Sequence, residues 1–163
     1  MKKIINFEDF NLINWFNSFT EIEIKTIKDR FLNFPEDKYI NLYSFQFDLF
    51  EYSDCDDYHY LVNKLLKVVL NRYPDFEVEM VTCLKKNKIE LLVKGKKYKK
   101  AFRVNGSRFD IENLLDFLNG ILNVNNIEEN FYLLDSSSDI QYPILIKPEL
   151  LELAKEKALI AVK

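Results

Sequence analysis

Apolar positions change their spacing several times along the chain, and each change predicts an element. Asn6 precedes "FEDFNLINWFNSF" as a helix cap, and Leu12, Trp15, Phe16 and Phe19 fall on one helical face. Thr20 and Glu23 have capping-box spacing, and Ile24, Ile27 and Phe31 continue the apolar stripe. This predicts two helices, or one bent one, ending before Pro35. In "YSFQFDLF", Tyr43, Phe45, Phe47 and Leu49 alternate with Ser44, Gln46 and Asp48, as in a half-buried strand. Phe45, Leu49 and Tyr52 fit a helix as well, so residues 40–50 stay open between the two. "SDCDD" then supplies caps and acids to a helix with Tyr58, Leu61, Val62, Leu65 and Val69 on one face, closed by Pro74.

Residues 76–104 read as a three-stranded meander. A turn at 85–88 would set Leu84 opposite Ile89, Thr82 opposite Leu91 and Met80 opposite Val93. A type II′ turn at Gly95-Lys96 would set Val93 opposite Tyr98 and Ile89 opposite Phe102. Both turns give the same core face. Ile111, Leu114, Leu115, Leu118 and Ile121 predict a further helix; "FYLL" and "YPILI" predict strands around "DSSSD"; Pro148 opens a last helix, "PELLELAKEKAL". "LNVNNIEEN" is the best candidate for a flexible connection. The expected fold is α+β: an antiparallel sheet built around a central meander, with N-terminal, middle and C-terminal helices packed on it. With 163 residues and no evident linker, 1–163 is expected to be a single domain.

Composition adds rings and removes some chemistry. Fourteen Phe and nine Tyr give a large apolar payload, and three Gly leave little for phosphate-cradling loops. Cys55 and Cys83 have no metal or disulfide spacing. No signal-type apolar run opens the chain and no window suits a membrane span, so a cytoplasmic protein with reduced thiols and no membrane partner is expected.

The net charge of −3 is unevenly spread. Residues 85–108 hold ten Lys or Arg and one acid, Glu90, between two acidic segments. On the expected register Glu77, Glu79, Lys88, Glu90, Lys94, Lys97, Lys99 and Arg103 share the outer face, with Glu79 opposite Lys94 and Lys85, Lys86 and Lys96 at hairpin tips. A solvated, partly self-neutralised sheet face accounts for most of that signal. The functional alternative is a basic patch of Lys94, Lys97, Lys99 and Arg103, meeting either nucleic acid or an acidic protein surface. Stacking aromatics are nearly absent from that face, which argues against single-stranded nucleic acid.

Other candidates have plain structural readings. Asp54, Asp56, Asp57 and the sole histidine, His59, lie close together, yet acids at a helix start face the positive end of its dipole without any metal. Cys55 and His59 could share a helix face, but no oxyanion-type Gly motif accompanies them. "DSSSD" suits a turn, and the lone Gly of "KGKK" makes no phosphate loop. No catalytic residue, cofactor or metal site is expected, and a non-enzymatic binding protein is.

The size, the acidic balance, the helix-meander-helix layout and the closing "ENLLDFLNGILNVNNIEENFYLLDSSSDIQYPILIKPELLELAKEKAL" resemble the small cytosolic immunity proteins encoded beside bacterial polymorphic or contact-dependent toxins. No fixed motif of that group is matched. The resemblance implies a tight one-to-one complex that neutralises a cognate toxin, a nuclease being one candidate. Acids would then meet toxin Lys or Arg: Asp54, Asp56, Asp57 and the neighbouring Tyr58 first, Asp135 and Asp139 next. The alternatives are a nucleic-acid-associated module using the basic hairpins, or an interaction domain with no toxin partner.

Overall fold

The computed structural model describes residues 4–36, 41–42, 58–81, 84–103, 110–134 and 142–162. They form a mixed α+β structure: α1 (Phe7–Asn11), α2 (Glu21–Asn33), α3 (Tyr58–Arg72), β1 (Val78–Val81), β2 (Lys88–Val93), β3 (Lys96–Ala101), α4 (Ile111–Val124), β4 (Asn130–Leu134), β5 (Tyr142–Ile146) and α5 (Pro148–Glu156). Two antiparallel sheets are present among them, β1-β2-β3 and β4-β5. The chain divides into two compact units, residues 1–50 with 122–163 and residues 51–121. The expected strand at "YSFQFDLF" lies outside the described residues.

In the first unit two capping boxes start α1 and α2. Asn6 and Asp9 exchange bonds between side chain and backbone, as do Thr20 and Glu23. Each box satisfies backbone donors that a helix start leaves unpaired. α1 is only five residues long, shorter than its apolar spacing suggests. The chain leaves it through turns that include Asn14 at φ 62°, a conformation Asn tolerates better than most residues. Leu12 is therefore exposed, whereas Trp15, Phe16 and Phe19 are buried from the turns. Phe7 stacks on Phe16 at 4.6 Å, and Phe10 meets the edge of Trp15 at 5.4 Å. Each such ring pair contributes about 0.5–1.5 kcal/mol beyond its buried area.

The segment read as a flexible connection is ordered. Asn126 turns it at φ 62°, Ile127 is buried, and the buried Glu129 accepts a hydrogen bond from Ser18 Oγ at 2.8 Å. β4 and β5 pair from Asn130↔Ile146 to Leu134↔Tyr142, with Phe131, Leu133, Leu134 and Ile144–Ile146 buried. Pro148 opens α5, where a missing N–H costs nothing. α5 ends at Glu156 rather than running through Leu159, and Ala158 turns the chain at φ 56°.

In the second unit α3 buries Tyr58, Leu61, Val62, Leu65 and Val69, and α4 buries Ile111, Leu114, Leu115, Leu118 and Ile121. These are the faces the spacing predicts. The meander also has the predicted core face, with Ile89, Leu91 and Val93 of β2 buried. Its register is shifted by two residues in both pairings: Met80 faces Leu91, and Leu91 faces Tyr98. A two-residue shift keeps every side chain on its face.

The turns explain the shift. Lys94 (φ 49°) and Gly95 (φ 82°) both have positive φ, the signature of a type I′ turn, so Val93 pairs with Lys96. That turn matches the strand twist and sits one residue earlier than the expected II′ turn. At the other end, Lys88 N donates to Lys85 O, so a turn does form at 85–88. Its neighbour Asn87 bonds to Phe102, just past β3, through Phe102 N→Asn87 O and Asn87 Nδ2→Phe102 O. β1 is described as far as Val81, and Leu84, expected on the core face, is fully exposed.

Candidate binding surface

The basic stretch occupies β2, β3 and their flanks. The pairing sorts β3 into two rows. Lys97, Lys99 and Ala101 project to the outer face, opposite Leu92, Glu90 and Lys88 respectively. Lys96, Tyr98 and Lys100 project to the core side, opposite Val93, Leu91 and Ile89. Among the described residues β3 is the last strand of its sheet, and all its residues are exposed or half-buried.

Neutralisation within the face is slight. Glu90 Oε1 lies 3.4 Å from Lys99 Nζ, with the carboxylate side chain 15% exposed and the lysine 53%. They stand directly opposite, not diagonally as the expected register had them. An ion pair this exposed contributes about 0–1 kcal/mol. Lys94 does not face Glu79. It lies in the turn, donates its N–H to Glu77 O at 3.3 Å, and Glu79 faces Leu92. Lys97 is exposed, and so is Arg103 just past the end of β3. Lys96 sits over the Tyr98 ring at 5.0 Å and Lys100 over the Phe102 ring at 6.0 Å. Such cation–π contacts fix the ammonium groups without cancelling their charge.

The outer face is not purely polar. Val81 and Leu92 are half-buried there beside Lys97 and Lys99, and exposed Leu84 follows β1 near Lys85. The candidate patch of Lys94, Lys97, Lys99 and Arg103 is thus confined to one hairpin and its ends, although it does not form one face. Lys96 and Lys100 extend it around the strand. Sequence reasoning left them out of the patch because it set Lys96 in the hairpin tip and alternation put Lys100 on the core side; the edge position of β3 was the signal that would have returned Lys100 to the surface.

The acidic candidates stand differently. Asp54, Asp56, Asp57, Asp135 and Asp139 lie outside the described residues. Tyr58 is fully buried. Its ring stacks on Phe102 at 4.9 Å, its hydroxyl donates to Arg103 O at 2.9 Å, and the same oxygen accepts from Asp110 N at 2.6 Å. A side chain so enclosed supports the unit from within and presents nothing to a partner. His59 Nε2 is 3.1 Å from Lys85 O, which ties the first turn of α3 to the β1–β2 connection. Among the described residues no three His, Cys, Asp or Glu side chains converge as metal ligands, and no helix is long and apolar enough to cross a membrane.

No family model matches the chain, and no curated protein and no solved structure matches it.

Proposed function

We propose that this chain is a protein-binding protein of the immunity type, which neutralises a cognate bacterial toxin by holding it in a one-to-one complex. The observation that supports a binding role is the charge left over on the β2–β3 hairpin: exposed lysines on both sides of β3 against one internal carboxylate, Glu90. A largely unneutralised surface on a paired strand costs little to order on binding and steers an oppositely charged partner. Val81, Leu92 and Leu84 beside the lysines favour a protein partner, because apolar groups within a charged rim are the usual anatomy of a protein interface. A nuclease active site that is basic would not meet this surface; an acidic part of the toxin would.

The lysine density also supports a second reading, a nucleic-acid-associated hairpin. Against it stands the placement of the aromatics: Tyr98 and Phe102 lie on the core side and have no free face for base stacking on the outer side.

Co-expression tests the first reading. The product of the reading frame immediately upstream is expressed in a bacterial host alone and together with this chain. Growth arrest that this chain relieves, with recovery of a one-to-one complex, is the expected result. Unrelieved arrest with no complex overturns it.

A further inference from the structure

We infer that the outer edge of β3 is a strand-addition site for an extended acidic segment of the protein partner. The inference rests on the protein-binding reading and specifies the surface and the chemistry that surface takes.

The edge follows from the hydrogen-bond phase of the hairpin. A two-residue turn at Lys94-Gly95 makes Val93 and Lys96 the closing pair, which exchanges both backbone bonds. Such pairs alternate with non-bonded ones, so Leu91–Tyr98 and Ile89–Lys100 are bonded and the pairs of Lys97, Lys99 and Ala101 are not. At the far end Phe102 N donates to Asn87 O, the next bonded pair in the same phase. The N–H and C=O groups of Lys97, Lys99 and Ala101 therefore point away from β2. β3 terminates the sheet order, and no backbone bond among the described residues reaches that edge.

Charge selects the occupant. Four of the six residues of β3 are lysines: Lys97 and Lys99 on the outer side, Lys96 and Lys100 on the core side. A strand added here would have lysines beside both of its faces. Glutamates or aspartates at successive or alternate positions would meet a cation, and a basic or neutral strand would not. Main-chain bonds to Lys97, Lys99 and Ala101 would supply affinity, and the lysines would supply selectivity. The same lysines repel a second copy of β3, so the edge rejects its own kind.

The test uses the full chain, isotopically labelled, with a short capped peptide of alternating glutamate and valine. A lysine-for-glutamate twin and a short single-stranded DNA serve as comparisons. The expected result is binding of the acidic peptide alone, with slowed hydrogen exchange at the Lys97, Lys99 and Ala101 amides. Ala101→Pro removes one outward N–H while leaving all bonds to β2. It should weaken the peptide about tenfold, the worth of one such bond. Lys97→Gln with Lys99→Gln should weaken it about threefold per charge and lower its salt dependence. Slowed exchange in the unmodified protein keeps the test informative if Ala101→Pro fails to fold. DNA binding in place of the peptide, concentration-dependent dimerisation through this edge, or no exchange change at saturating peptide would each overturn the inference. Relief of toxicity in co-expression is independent of all three, so the broader reading and this one fail separately.

Discussion

Replacing Tyr58 with phenylalanine isolates one oxygen atom. That oxygen donates to Arg103 O at 2.9 Å and accepts from Asp110 N at 2.6 Å, while the ring beneath it stacks on Phe102. Phenylalanine keeps the ring and its burial, so the change reads the interactions of the hydroxyl. Each is worth about 1 kcal/mol net, more where the abandoned partner stays dry. Arg103 is exposed and Asp110 half-buried, so water reaches at least one of them. The loss should be about 2 kcal/mol, toward the lower end of the range for a buried pair. Tyr58→Ala adds a cavity at a fully buried site and should cost about 3–5 kcal/mol. Native-state hydrogen exchange at the buried strand residues Ile89 and Leu91 reads the unit directly. A loss of about 2 kcal/mol accelerates their exchange roughly thirtyfold where they exchange by unfolding of the unit. Unchanged exchange in Tyr58→Phe would refute the view that this hydroxyl joins the end of β3 to the start of α4.

Three further outcomes are expected. Gly95→Ala should lose about 1 kcal/mol in urea unfolding, because Gly95 has φ 82° although no atom lies near an added Cβ; Lys94→Asn should be neutral or stabilising, Asn-Gly being the preferred type I′ pair. Thr20→Ala should cost about 1 kcal/mol through the loss of the Glu23 N bond and should unravel the first turn of α2, read by amide exchange there. Ser18→Ala should cost about 1.5–3 kcal/mol, because the buried Glu129 loses a charge-assisted bond; Ser18→Thr, which keeps the hydroxyl, should recover part of it in the same unfolding measurement.

Periodicity revealed what periodicity controls. The buried faces of α3 and α4, the core face of the meander, the cap at Asn6 and the Thr20–Glu23 capping box follow from residue spacing, whereas the part of Asp9 in the Asn6 box was not read from it. Register did not follow. Nothing in "VKGK" announces that the turn takes Lys94-Gly95 rather than Gly95-Lys96, and that choice displaced the β2–β3 pairing by two residues. Helix length failed for a similar reason at α1: Leu12, Trp15, Phe16 and Phe19 have helical spacing, but Asn14 adopts a left-handed conformation and the rings reach the core from turns. Of the candidate site, the charge of the hairpin was legible and its edge was not. Strand order belongs to the sheet as a whole, and Lys100 gains its partial exposure because, among the described residues, β3 has no neighbour on one side. Tyr58 was singled out for its acidic neighbours, but its 0% exposure reflects tertiary packing that no local pattern contains.

The Tyr58 hydroxyl is also a reporter already built into the chain. Arg103 O and Asp110 N both bond to the same oxygen, so the residue after Phe102 and the residue before α4 are held within the sum of two hydrogen-bond lengths. One atom of α3 thus engages a carbonyl on one side and an amide on the other, using its proton for the first and a lone pair for the second. A spectroscopic label on that phenol would therefore register the docking of strand end and helix start in a single signal.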